Sequence, residues 1–292
     1  MKSFVVLLAF VAIASCSFDP SSFDWTSVKP LSHTKAFKDA FPHLDESGDE
    51  KVFELRDGRI VRGEVAGPED FPYQVGLLLS YYSEQSWCSG SLISRKTVLT
   101  AAGCATGEVD ITALLGASDI LSRTIQYISV EKIKIHESFK KNLDNDIAVL
   151  ILKREAELNP EVNVVRLPAS NQASNSFVDQ TATIAGWGAT GSSNDPVPTG
   201  YLHSVRAQVI SQTSCLIRYP LYISTSNICT SVPIGTPCDG DEGGALTVVD
   251  ADRQRTQIGI FSYQYSGGCD RGWPAVFTRV TSFLTWIADN SE

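Results

Sequence analysis

From residue 60 onward the chain is built of short apolar runs separated by Gly, Pro, Ser and Asn. Tyr73–Leu79, Thr97–Ala102, Thr181–Gly186, Val205–Ile210 and Gln257–Tyr263 are such runs, and each has the length and punctuation of a β-strand. Ile133 and Ile135 alternate with Lys132 and Lys134, the period of two of a half-buried strand. Ile147–Leu152 is continuously apolar, as a strand covered on both faces requires. Near the C-terminus the pattern changes. Val280, Phe283, Leu284 and Ile287 fall at i, i+3, i+4 and i+7, which predicts a terminal amphipathic helix. Many short strands with turns between them predict an all-β barrel or sandwich. Residues 17–59 show neither period and no Cys, and read as a detachable segment; no repeat of fixed period occurs.

The first residues have a different character again. Lys2 precedes an unbroken apolar run from Phe4 to Ile13, followed by small residues. This is the pattern of an export signal, cleaved after Ala14 or Cys16. Ten apolar residues are too few for a hydrocarbon core of ~30 Å, and the longest later run, Ile147–Leu152, is shorter still. The expectation is a secreted, extracellular protein with no membrane association, divided into a signal over 1–16, a pro-segment over 17–59 and one domain over 60–292. Removing Cys16 leaves Cys88, Cys104, Cys215, Cys229, Cys238 and Cys269. An even set in an exported chain reads as disulfides, and six cysteines allow ~15 connectivities.

Composition narrows the partners. Hydrophobic residues make up 43% and charged residues 20% of the 292, enough for a sizeable core. The net charge is −9, which disfavours nucleic acid, heparin-like polymers and anionic membranes. No Cys/His cluster suggests a metal site, and no cofactor motif is present. Asp146 and Glu242 are two carboxylates without His or Cys, suited at best to a weakly held hard cation.

Four motifs occur in order: Arg59-Ile60-Val61-Arg62-Gly63, Leu99-Thr100-Ala101-Ala102-Gly103-Cys104, Asp144-Asn145-Asp146-Ile147-Ala148-Val149-Leu150 and Cys238-Asp239-Gly240-Asp241-Glu242-Gly243-Gly244. Cys88-Ser89-Gly90-Ser91-Leu92-Ile93, Gly186-Trp187-Gly188 and Phe277-Thr278-Arg279-Val280 accompany them. Together they resemble the chymotrypsin-like (trypsin superfamily) serine proteases, over the 233 residues from Ile60. The resemblance implies two packed antiparallel six-stranded barrels with a C-terminal helix and a catalytic cleft between the barrels. It also implies the pairs Cys88–Cys104, Cys215–Cys229 and Cys238–Cys269.

The departures from the family pattern bear on function. The mechanism uses His as general base, Asp to orient it and Ser as nucleophile. The His position holds Gly103 and the Ser position holds Glu242; Asp146 alone is retained. His33 and His43 lie in the detachable segment, His136 reads as a surface residue at a strand end, and His203 falls in a strand expected away from the cleft. The resemblance places an oxyanion-hole-like pair of N–H groups at Gly240 and Glu242, where a carboxylate repels a developing oxyanion or accepts those hydrogen bonds itself. It places a specificity-pocket-like set at Thr236, Gln264 and Ala275, with no acid at the base. Arg59-Ile60 matches an activation junction whose freed amine would pair with Asp241.

These residues lead to the expectation of no enzyme. They point to a non-catalytic homologue, similar to secreted relatives in arthropods, that acts by protein binding as a regulator or cofactor of an extracellular proteolytic or immune cascade. Its partner would be a protease, a protease substrate or a reversible inhibitor, bound by strand addition in the cleft. The alternatives are a weakly active extracellular serine-type endopeptidase and a secreted protein with no specific partner.

Overall fold

The computed structural model describes residues 23–41 and 63–292, apart from 68, 108, 123, 190–197, 232–234, 266–267 and 270. The expected signal, residues 1–16, lies outside these. Among the described residues fourteen strands form two sheets, each closed into a barrel. The first barrel takes β3 (Gln74–Ser80), β4 (Gln85–Ser94), β5 (Thr97–Thr100), β6 (Asp110–Leu115), β7 (Gln126–Ile135) and β8 (Ala148–Leu152). They pair antiparallel in the order β4-β3-β6-β7-β8-β5, and β4–β5 pairing closes the ring. The second takes β9 (Thr181–Gly186), β10 (His203–Ile210), β11 (Asn227–Thr230), β12 (Ala245–Val249), β13 (Arg255–Tyr263) and β14 (Ala275–Arg279), closed by β10–β11. This is the pair of six-stranded barrels implied by the motifs. Closure leaves few free strand edges, which suits a fold with so many short strands.

Burial explains the sequence pattern. β8 runs between β7 and β5 with all five side chains buried, hence its unbroken apolar run. β10 alternates buried and outward positions, so Arg206 and Gln208 face solvent while Val205, Ala207 and Val209 enter the second core. A further cluster joins the barrels: Trp87, Leu78 and Leu114 meet Trp187, Ala185 and Ala245. Trp87 and Trp187 meet edge to face, with ring centroids 5.7 Å apart. Gly76 lies beneath Trp87, where a Cβ would stand 2.5 Å from the indole.

Two departures from the sequence reading stand out. The terminal apolar stripe is split: Val280–Ser282 is a single 3-10 turn, and the helix proper, α3, is Leu284–Asn290. Residues 23–41 are structured, although their sequence carries no period. They supply β1 (Val28–Pro30), a single 3-10 turn over Leu31–His33 and α1 (Lys35–Ala40). β1 adds in parallel to β4, and the two-residue β2 (Glu64–Val65) adds to β10. A three-residue strand and a six-residue helix are too short to show a hydrophobic period; they are held by what they dock on.

Leu150 is fully buried on β8, in the first core. Leu150→Ala is expected to lower the unfolding free energy by about 2–5 kcal/mol, read from the midpoint of urea denaturation, with the slope unchanged.

Candidate active site

The three positions that correspond to a catalytic triad come together at the junction of the barrels. Asp146 is carried by the turn before β8. Leu143 and Asn145 there have φ of 63° and 57°, a left-handed backbone that costs on the order of 1 kcal/mol at a leucine. The Asp146 side chain is 1% exposed. Its Oδ1 accepts the Gly103 N–H at 2.9 Å, and its Oδ2 accepts the Ser262 hydroxyl. Ser262 reaches it because β13 slips register against β14 between Phe261 and Tyr263. Burial pushes the Asp146 carboxyl up to about 6, against the lowering effect of the Ser262, Gly103 and Ala102 hydrogen bonds. Where an imidazole would stand in the family there is only the Gly103 Cα. A Cβ built there lies 3.8 Å from Asp146 Oδ1 and 3.9 Å from Cε2 of Phe37.

Glu242 sits in the tight loop before β12. Gly240 and Gly243 adopt φ of 95° and 83°, and a Cβ on Gly243 would stand 2.1 Å from Thr100 Oγ1. The Glu242 carbonyl accepts the Ser89 N–H at 2.7 Å, which ties this loop to the first barrel. Its side chain folds back so that Oε2 accepts the Gly240 N–H at 2.7 Å. The carboxylate thus occupies the Gly240 member of the oxyanion-hole-like pair. Burial, and secondly the charge of Asp239, push the Glu242 carboxyl well above the usual range. Burial raises Asp239 as well, opposed by the charge of His33.

Asp241 is fully buried, its carboxylate accepting N–H groups from Gly188 at 2.8 Å and Cys238 at 2.9 Å. Burial raises it to about 7. The motif Gly186-Trp187-Gly188 makes room for it: a Cβ would stand 1.9 Å from Asp241 Oδ1 at Gly186 and 2.6 Å from its Cγ at Gly188. Arg59 and Ile60, the expected junction and Asp241 partner, lie outside the described residues.

The remaining sequence candidates fall as follows. Thr236 Oγ1 and Gln264 Oε1 are 3.1 Å apart and hydrogen bonded, and Ala275 is buried at the start of β14. This bridge narrows the space expected for a substrate side chain. His136 is outside the site: its Nδ1 accepts the Ser138 N–H, and its ring packs on Phe283 and Trp286. His203 is buried on β10. The three disulfides join Cys88–Cys104, Cys215–Cys229 and Cys238–Cys269. Among the described residues no group of three or more His, Cys, Asp or Glu is placed to hold a metal, and no helix is long and apolar enough to cross a membrane.

Sequence reasoning missed three residues around the site, Ser262, Asp239 and Phe37, and set a fourth, His33, aside with the detachable segment. Asp239 adjoins a quoted motif and could have been weighed as a partner for Glu242. Ser262 depends on a strand slip, and Phe37 and His33 on docking of a segment, for which no local signal exists.

Asp146 offers a pH test. Its carboxyl is raised in the folded protein, so its contribution to stability is fully present below about pH 4 and is lost as pH rises through about 6. Asp146→Asn keeps an acceptor for Gly103 and can donate to Ser262, but does not titrate. At pH 4 the variant and the parent are expected to melt together. Above pH 7 the variant is expected to be the more stable by a few kcal/mol, roughly 3, as measured by chemical denaturation.

The Trypsin family model matches residues 60–287. Collagenase of Hypoderma lineatum is 34% identical over 82% of this chain and 90% of its own length. Serine protease 1 of Drosophila melanogaster is 38% identical over 80% of the chain and 86% of its own. Chymotrypsin of Phaedon cochleariae is 35% identical over 80% and 82%. The solved structure of HL collagenase superposes with a TM-score of 0.71 at 33% identity, covering 78% of this chain and 96% of that one. The names of these relatives overturn the expectation, drawn from Gly103 and Glu242, that the chain is no enzyme: they are those of proteases, and they point to a protease here. With its two closed barrels, its three disulfides and a match running from residue 60 to 287, the chain belongs to the trypsin family.

Proposed function

We propose that this protein is an extracellular member of the trypsin family that holds an extended polypeptide in the cleft between its barrels and hydrolyses it weakly, as a serine-type endopeptidase of very low turnover. The observation that supports proteolysis is the family match over 60–287, with relatives named collagenase, chymotrypsin and trypsin. The observation that sets the rate is the pair Gly103 and Glu242. Loss of nucleophile and base costs about 10⁶-fold in kcat in a full-triad enzyme. Here the carboxylate of Glu242 also holds the Gly240 N–H, which would otherwise receive an oxyanion. The acid–base groups left beside that loop are Glu242 and Asp239, two carboxyls raised by burial, Glu242 further by the charge of Asp239. Turnover therefore goes by attack of water on a carbonyl carbon whose oxygen accepts a hydrogen bond from the neutral Glu242 carboxyl. The C–N bond breaks, the water's proton goes to the departing amine, and the rate is highest where that carboxyl is neutral.

The same geometry favours a second reading, regulation of an extracellular cascade by binding. A cleft that takes a polypeptide and releases product very slowly sequesters it from faster proteases. Its partner would be another protease's substrate, a protease or a reversible inhibitor. A covalent trap is excluded from this reading, because it needs an acyl-enzyme.

Hydrolysis of a broad peptide library by the purified protein, beside Glu242→Ala, tests the reading. Turnover about 10⁶-fold below a full-triad relative, and abolished in the variant, is expected. Equal turnover in both samples would show a contaminant and sink the endopeptidase reading, leaving the binding one. The double change Gly103→His with Glu242→Ser is expected to raise turnover by several orders of magnitude, roughly 10³-fold or more. No rise would mean that the cleft does not seat a peptide bond at these positions.

A further inference from the structure

Residues 23–41 lie on the cleft, and every part of the segment has a partner there. β1 continues the first sheet, with Val28, Lys29 and Pro30 beside Gln85, Ser86 and Trp87 of β4. The Ser86 hydroxyl donates to the Lys29 carbonyl at 2.9 Å. Val28 joins the cluster that holds Trp87 and Trp187, and Trp25 meets Trp87 edge to face at 6.0 Å. Leu31, 2% exposed, belongs to the core of the first barrel. Phe41, also 2% exposed, packs on Phe37 at 4.7 Å and on Phe139 at 5.9 Å.

α1 completes the cover. The Thr34 hydroxyl caps its start by accepting the Phe37 N–H at 3.1 Å. Glu84, at the turn into β4, accepts the N–H groups of Lys35 at 2.6 Å and Ala36 at 3.3 Å, and its other oxygen is 3.6 Å from the Lys29 ammonium. The helix so placed brings the Phe37 ring to the empty side of Gly103, where it stands in the space beside Asp146. The preceding turn brings His33 within electrostatic reach of Asp239, next to Glu242.

We propose that residues 23–41 are an intramolecular inhibitor, a strap that fills the cleft at Gly103 and stays bound without a covalent tie when the chain is cut between residues 41 and 63, so that an extended polypeptide must displace it from β4 to enter. This rests on the reading that the cleft takes an extended polypeptide. No disulfide secures the segment, since the cysteines of 60–292 pair among themselves. Strand addition, the buried Leu31 and Phe41, and the Glu84 contacts are what hold it. The parallel edge pairing with β4 also states the chemistry of the competitor: a chain with an extended apolar–polar–apolar stretch, as in Val28-Lys29-Pro30, followed within about ten residues by aromatic groups to replace Phe37 and Phe41.

The test uses the full chain with a sequence-specific protease site introduced between Asp49 and Glu50. After cutting, both fragments are expected to co-elute in gel filtration at about 1 µM, and Leu31→Asp is expected to separate them. Separation of the wild-type fragments overturns the proposal, as does co-elution that Leu31→Asp leaves unaltered. A second arm is independent of how the variants fold. A fluorescein-labelled peptide of residues 23–41 is titrated into the cut full chain, where it exchanges with the bound strap. Binding at micromolar concentration, weakened about tenfold by Phe37→Ser in the peptide, is expected. Equal binding of a scrambled peptide overturns it. No arm reads turnover, so failure of the endopeptidase reading leaves these results unaffected. A cleft that binds substrate peptides equally well before and after the strap is removed would overturn the strap alone.

Discussion

The edge of Trp87 against the face of Trp187 is the contact on which the rest of the molecule depends. Trp87 lies on β4 of the first barrel and Trp187 follows β9 of the second, so this pair and the residues around it bring two separately closed barrels into one body. A large ring needs space, and Gly76 supplies it on the neighbouring strand. The same stretch of β4 is the platform for β1, and its continuation leads through Ser89 to the Glu242 carbonyl. Barrel packing, the loop of Glu242 and the docking of residues 23–41 therefore share a few residues of one strand. A disturbance at Trp87 would reach all three.

Around that contact the site is organised by buried carboxyls rather than by ion pairs. Asp146, Asp241 and Glu242 are each held by N–H or hydroxyl donors, and burial raises all three. Backbone donors fix position without neutralising charge, so ionising these groups costs more than it would beside Lys or Arg. In a family whose chemistry relies on a charged Asp beside an imidazole, the imidazole is replaced by nothing. Asp146 turns its donors inward and becomes a brace between Gly103 and Ser262. Glu242 acts in a similar way, closing its loop on itself through Gly240. The arrangement is well built as structure, and its buried carboxyls are poorly suited to fast proton transfer.

The strap adds a second level of control to that chemistry. An aromatic side chain covers Gly103 from outside while the Glu242 carboxylate occupies the Gly240 N–H from within. Either alone would slow entry of a peptide carbonyl. Together they describe a site held shut in the state seen here, with opening governed by competition for an exposed strand edge.

Much of this was legible in the chain itself, because it depends on local composition. Short apolar runs between Gly and Pro specify strands, the continuous run of β8 specifies a strand covered on both faces, and the ordered motifs identify the two-barrel architecture. Gly103, Asp146 and Glu242 read as the triad positions because their flanking residues resemble family signatures. The tertiary structure alone decided what those residues do to one another. Ser262 reaches Asp146 through a strand slip, the Glu242 side chain turns onto Gly240 because its loop adopts positive φ there, and α3 begins only after the 3-10 turn at Val280. Residues 23–41 are the clearest case. Their strand and helix are too short to be stable or periodic by themselves, and they take shape only because β4 offers an unpaired edge and the cleft offers buried space for Leu31 and Phe41.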